Sequence, residues 1–289
     1  MPMKTRIQEA AVDMMNLVDL DNRHRYTRKT DGKLFAGVTT VSGLLPKDWM
    51  PAWGAKEAMK ALGYFDEVEG ESSSPKIVAA QERLDFIKGL TVDQYLSMLK
   101  ESKGAFARKR DDAAELGTEW HEFLENKIKA VIRNEDDPKA PEGNEWALES
   151  VDKFFNWCNE NVKEFVLSEA RVVDMENEYA GTLDCLAILK NGSPAVLDFK
   201  FSNNVSEGWM LQTAAYVRPF KPYKIDITKR FVFRFPKTEY LNEYDKKTRS
   251  YKRIKNEFEI LEYPEDKVEW DFETFLHLRN AYKWINNKK

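Results

Sequence analysis

Three adjoining runs, VLSEARVVD (166–174), YAGTLDCLAIL (179–189) and PAVLDFKF (194–201), constrain the fold of this chain most strongly. Each is short, rich in Val, Leu, Ile and Phe, and bounded by turn-forming residues. That combination reads as three consecutive strands. Later runs, ITKRFVFRF and KNEFEILEY, read as further strands, with a helix over 207–218 between the two groups. VEWDFETFLHLRNAYKWI closes the chain as an amphipathic helix.

The first half reads differently. Residues 5–20 form a short amphipathic helix, and Asp31-Gly32 makes a turn between two strand-like runs. Trp49–Leu62, most of 76–133 and about 144–162 carry helical patterns, and Thr91 and Gln94 have the spacing of a capping box. EGESSSP (69–75) and NEDDPKAPEG (134–143) read as loops. The expected fold is therefore mixed α/β, a central mixed sheet flanked by helices and preceded by a helical N-terminal region.

Composition excludes several classes. No stretch approaches the roughly 20 apolar residues needed to cross a bilayer, and MPMKTRIQEAAVDMM has no apolar core of a signal peptide. No membrane partner and a cytoplasmic location are expected. Two cysteines, Cys158 and Cys185, suit a reducing compartment and cannot supply a four-cysteine zinc or iron–sulfur site. No GxxxxGK[ST] sequence is present, so no ATP site is expected. The net charge of −4 weighs mildly against nucleic acid. Charge is uneven, however, and metal-binding carboxylates would account for part of it.

The chemistry concentrates in GTLDCLAILKNGSPAVLDFK. Asp198 and Lys200 are two apart in a strand and share a face. Asp184 joins them only in one register. A two-residue Asn191-Gly192 turn sets Asp184 opposite Phe199. A three-residue Lys190-Asn191-Gly192 loop pairs Leu189 with Ser193 and sets Asp184 opposite Asp198, with Gly192 in the left-handed position that glycine favours. We expect the three-residue loop or an equivalent bulge. Two facing carboxylates about 5 Å apart repel unless a cation lies between them. Hard oxygen ligands suit magnesium or manganese. A lysine beside such a cation suits phosphodiester hydrolysis.

Taken together, EARVVD…YAGTLD…VLDFKFS…LQTAAY and the upstream GTEWHEFLE (117–125) resemble the RecB-like branch of the PD-(D/E)XK nucleases, with phage and mitochondrial members especially similar. The likeness covers mainly residues 117–216. It implies a restriction-endonuclease-like core in a single nuclease domain over 1–289. A mainly helical part, 1–162, would contribute His121 and could arch over the site, and 163–289 would form the catalytic core. It further implies that His121, Asp184, Asp198 and the backbone carbonyl of Phe199 bind Mg²⁺ or Mn²⁺, with histidine favouring manganese. Lys200 would be the catalytic lysine, and Glu169, Gln212 and Tyr216 site residues. By its spacing alone, Glu125, one helical turn after His121, either hydrogen-bonds the imidazole or is simply exposed. The implied activity is a metal-dependent exonuclease on single-stranded DNA ends, in recombination, repair or replication alongside proteins of those processes. A duplex or structure-selective endonuclease and a DNA-binding accessory protein are the alternatives.

Basic segments are candidate DNA contacts: ARKR with Arg108, Lys109 and Arg110; KKTRSYKRIK with Lys252 and Arg253; and RHRYTRK near the N-terminus. Trp49, Trp53 and above all Trp209, on the helix bearing Gln212, are candidate stacking residues.

Overall fold

The computed structural model describes residues 1–47, 49–62, 73–142, 145–245 and 250–287. In chain order the elements are α1 (Met3–Leu17), β1 (Val18–Leu20), β2 (Tyr26–Arg28), β3 (Leu34–Gly37), α2 (Val38–Ser42), α3 (Trp49–Ala61), α4 (Ser73–Lys88) and α5 (Val92–Arg133). There follow α6 (Glu145–Asn161), β4 (Val162–Asp174), β5 (Tyr179–Leu189), β6 (Pro194–Phe201), α7 (Gly208–Val217), β7 (Lys229–Phe235), β8 (Tyr240–Asp245), β9 (Ser250–Lys255), β10 (Glu259–Tyr263) and α8 (Val268–Asn286). The fold is mixed α/β, with a central sheet of parallel and antiparallel strands flanked by helices and a helical N-terminus. No helix among the described residues is long and apolar enough to cross a membrane.

The chain forms two compact units. The first comprises Met1–Pro46, Glu119–Pro236 and Glu257–Lys289; the second comprises Lys47–Thr118 and Lys237–Asn256. In the first unit the sheet runs β1-β2-β3-β5-β6-β7-β10, with β4 also on β5. β4 lies antiparallel along the whole of β5, from Val162↔Leu189 to Asp174↔Tyr179. On the other edge of β5, β3 pairs in parallel at Tyr179 and Ala180, and β6 pairs antiparallel from Cys185 to Ile188. Residues 181–184 of that edge lie between the two partners, so the sheet forks beside Asp184.

Strand alternation then distributes side chains to two covered faces. Phe199 meets Phe154 of α6 at 5.2 Å between ring centroids, and Phe233 of β7 meets Phe154 at 4.8 Å. Asp198, one residue earlier, turns the other way and meets Gln212 of α7. The main core joins α1, α2, α7 and α8 to the sheet through Met14, Val38, Tyr179, Leu183, Tyr216 and Phe275. The C-terminal helix is further pinned by a buried ion pair, Arg230 to Asp271 at 2.7 Å.

In the second unit α5 starts with the expected capping box. The Thr91 amide donates to Gln94 Oε1 at 2.9 Å, and the Gln94 amide donates to Thr91 Oγ1 at 3.3 Å. Arg83 donates to the carbonyls of Ala61 and Leu62, closing the C-terminal end of α3. Two sequence readings need correction. KNEFEILEY is not one strand: Lys255 ends β9, and β10 starts at Glu259, because the Asn256 side chain and amide turn back to Thr238 and Glu239. β4 also begins earlier than expected, at Val162, with register shifts at Val162/Glu164 and Phe165/Leu167. Most of the loop read at 69–75 and the 246–249 tip of the β8–β9 hairpin lie outside the described residues.

Candidate active site

The β5–β6 hairpin adopts the three-residue loop. The Leu189 amide donates to Ser193 O and the Gly192 amide to Leu189 O, both at 2.9 Å, and Gly192 has φ +89°. The pairs Cys185↔Leu197 through Ile188↔Pro194 follow. One further step in that register sets Asp184 across from Asp198. On the other side of Asp184, the pairs Ser168↔Cys185 and Ala170↔Leu183 leave Glu169 across from Asp184. Glu169, Asp184 and Asp198 thus form a row across β4, β5 and β6. Glu169 has φ +50°, a left-handed backbone in the middle of a strand. A non-glycine residue held there is strained, and such strain concentrates at functional sites.

His121, on α5, meets this row with both ring nitrogens. Its Nε2 lies 3.3 Å from Asp184 Oδ2 and its Nδ1 lies 3.9 Å from Glu169 Oε1. At the other end, Lys200 Nζ lies 2.6 Å from Asp198 Oδ2. Asp184 Oδ2 also accepts the Phe199 amide N–H at 2.6 Å, which ties the hairpin's two strands at the fork. From α7, Gln212 Nε2 donates to Asp198 Oδ1 at 3.3 Å and to the Tyr216 hydroxyl at 2.9 Å. Gln212 and Tyr216 lie one turn apart and reach the same carboxylate region because i and i+4 share a helix face.

Tyr216 in turn rests on Gly181. A Cβ at Gly181 would come within 2.7 Å of Tyr216 Cε1 and 2.9 Å of Val38 Cγ2. The glycine therefore lets α7 sit close enough for Gln212 to reach Asp198. The flanking sequence signals the strand but not this packing.

Burial and like charge shape the site's electrostatics. Burial drives Asp198 up to about 7, with the Asp184 charge adding to it against the pull of Lys200. Burial also opposes ionisation of Asp184, but Lys200, His121 and the Phe199 N–H outweigh it and hold that carboxyl below its usual range. Burial and the charges of Asp184 and Glu125 raise Glu169 to about 7. Burial disfavours the His121 imidazolium, yet Asp184 and Glu169 raise it to about 9. Lys200 is held above its ordinary value by Asp198 and Asp184 despite burial. With Asp198 and Glu169 both raised to about 7 and Asp184 held ionised, the three carboxyls are balanced near neutral pH by the His121 and Lys200 cations.

The residues fit a hard divalent cation. Asp198 is fully buried, and its Oδ2 faces the Lys200 ammonium at 2.6 Å. The donor set is carboxylate and imidazole, and the imidazole and Asp184 atoms are close enough to share one ion. Among the described residues, the grouping in which three ligand atoms lie within 4.8 Å of one another is His121, Glu125 and Glu169; Asp184 adjoins it through His121, and Asp198 is not part of it. The expected Glu125–imidazole hydrogen bond is corrected: the Glu125 carboxylate pairs with Lys129, one turn further along α5.

The candidate DNA contacts fare unevenly. Trp209 is 8% exposed and belongs to the core, so it presents no open face for stacking. Trp53 packs edge-on against Phe106 and donates to Glu57; the side chain of Trp49 lies outside the described residues. In the N-terminal patch, Arg25 pairs with Asp21, Arg28 with Asp31 and Lys29 with Asp19. Arg110 pairs with Asp111, and Arg108 donates to Glu101 O, whereas Lys109 is exposed on α5. Arg253 stacks over Tyr240 at 3.9 Å, beside exposed Lys252.

Comparison with protein-family models finds none that matches this chain, and comparison with curated proteins finds no match either.

Proposed function

We propose that this chain is a divalent-metal-dependent deoxyribonuclease of the PD-(D/E)XK type, with a restriction-endonuclease-like core, that hydrolyses phosphodiester bonds at single-stranded DNA ends. The observation that carries the reading is the row Glu169, Asp184 and Asp198, flanked by His121 at 3.3 Å from Asp184 and Lys200 at 2.6 Å from Asp198. His121, Asp184 and Asp198, with the Phe199 carbonyl, would hold Mg²⁺ or Mn²⁺. Such an ion supplies Lewis-acid polarisation of a phosphoryl oxygen and lowers the pKa of water.

The chain's own groups have distinct tasks. Lys200 stabilises negative charge developing on the phosphoryl group. Gln212 fixes Asp198 through Oδ1, leaving Oδ2 for the ion, and Tyr216 fixes the Gln212 amide. Asp184 is oriented by the Phe199 amide. Buried free thiols at Cys158 and Cys185 suit a reducing compartment such as the cytoplasm, and DNA recombination, repair or replication is the setting we favour.

The test is cleavage of end-labelled single-stranded DNA, linear and circular, with Mg²⁺, Mn²⁺ or EDTA. Metal-dependent loss of the linear form alone supports the reading. Cutting of circles replaces it with an endonuclease, and no cleavage of single-stranded, duplex or branched DNA by folded protein replaces it with a DNA-binding accessory role.

A further inference from the structure

Arg171 lies two residues beyond Glu169 on β4, directly across from Thr182 of β5, which is itself two residues before Asp184. Directly opposed residues share a face, with Cβ atoms about 5 Å apart. Two residues along a strand span about 7 Å, comparable to the separation of successive phosphates on a nucleic-acid strand. Arg171 and Thr182 therefore stand one step along from the Glu169–Asp184 row.

The cations nearest the row are already engaged: Lys200 by Asp198 and Lys129 by Glu125. Arg171 differs. A guanidinium has five N–H donors. One from Arg171 reaches the Val18 carbonyl at 3.3 Å, and among the described residues no carboxylate pairs with it. The side chain is half-buried rather than turned to bulk solvent. Beside it, the Tyr26 hydroxyl meets Thr182 Oγ1 at 3.0 Å. Two hydroxyl hydrogens serve that one contact, so one is left to donate elsewhere. Tyr26 is buried and Thr182 half-buried, which makes Thr182 the outward donor.

We infer that Arg171 and the Tyr26–Thr182 hydroxyl pair form an anion subsite for the phosphate next to the scissile one on the nucleic-acid strand. The subsite rests on the nuclease reading. It answers a problem that the acidic row creates: a polyanion must approach three carboxylates, and an uncommitted guanidinium one step away offsets the repulsion. The phosphate can be an internal diester or a terminal monoester, since both present the same oxygens.

The test is binding of a fluorescent single-stranded oligonucleotide in Ca²⁺ over a range of KCl, with 5′-hydroxyl and 5′-phosphate versions. Wild type is run beside Arg171→Ala, Arg171→Lys and Thr182→Val, with thermal unfolding of each. Arg171→Ala is expected to weaken binding about tenfold and to lower the slope of log K against log salt by about 0.7. Arg171→Lys should recover part of the loss and Thr182→Val should weaken binding severalfold. Equal losses on both oligonucleotides assign an internal diester; a loss confined to the 5′-phosphate version assigns the chain end. Unchanged affinity and slope in Arg171→Ala, with only a lower unfolding temperature, would make Arg171 a structural tie to β1 and overturn the subsite while leaving the nuclease reading intact. If wild type neither binds nor cuts DNA, the nuclease reading fails first and the subsite with it.

Discussion

Lys200 Nζ lies 2.6 Å from Asp198 Oδ2, both on β6, where Asp198 stands across from Asp184 beside the fork in the sheet. The contact joins two groups of different expected duty, one a ligand and one a stabiliser of developing charge. Removing the ammonium should leave the ligands in place. Lys200→Ala is predicted to lower the cleavage rate by about 10²–10³-fold while manganese binding, read by calorimetry, stays within a few-fold of wild type. A parallel loss of metal affinity would mean that Lys200 mainly organises the carboxylates.

Gly181→Ala tests the packing beneath Gln212. The new Cβ would lie 2.7 Å from Tyr216 and 2.9 Å from Val38, which must move. We expect about 1–3 kcal/mol of destabilisation and a drop in kcat larger than the change in KM, because the disturbed partner of Tyr216 is the group that orients Asp198. Denaturant melts and steady-state kinetics on the same sample check it.

Glu169→Asn tests the strained position. Asn tolerates the left-handed region better than Glu, so relieving φ +50° and removing a carboxylate from the acidic row should raise stability by about 1 kcal/mol. Cleavage should fall at least tenfold. Lower stability would show that Glu169 serves folding rather than the reaction.

Glu178 gives a pH dependence away from the acidic row. Lys283 and Lys33 hold its carboxyl down at about 2 in the folded chain, from an ordinary value of 4.5. A depressed folded value means that the stabilisation is complete above about pH 4.5 and is lost as pH falls towards 2. After allowance for solvent screening it contributes about 1 kcal/mol. Glu178→Gln should therefore unfold at a lower temperature than wild type at pH 6, with the gap closing near pH 2.5. A gap that persists undiminished at pH 2.5 would contradict the ion pairs as its cause.

Much of the site's frame is legible in the residues because it is local. The apolar runs at 166–201 give β4, β5 and β6, and glycine chemistry at Gly192 gives the loop that sets Asp184 opposite Asp198. The Glu125–Lys129 pair is the local competitor, at i,i+4 spacing, that reading Glu125 as a partner of His121 left out. What is not legible depends on distant chain. Tyr26 meets Thr182 across 156 residues, and no local pattern announces it. The left-handed φ of Glu169 departs from strand backbone geometry without shifting the register, and a glutamate gives no sign of it. In the N-terminal basic patch the pairs of Arg25 with Asp21 and Arg28 with Asp31 are by contrast local, four and three residues apart, and their spacing alone offers them.

The central claim is that the acidic row holds a catalytic divalent ion, and one measurement reaches it directly: the rate of label release from a linear single-stranded DNA end as Mn²⁺ is titrated, for wild type and Asp184→Asn. The account predicts saturable, EDTA-reversible release by wild type and a rate at least about 10³-fold lower for the folded variant. Release that persists in EDTA, or that Asp184→Asn supports at the wild-type rate, would contradict it.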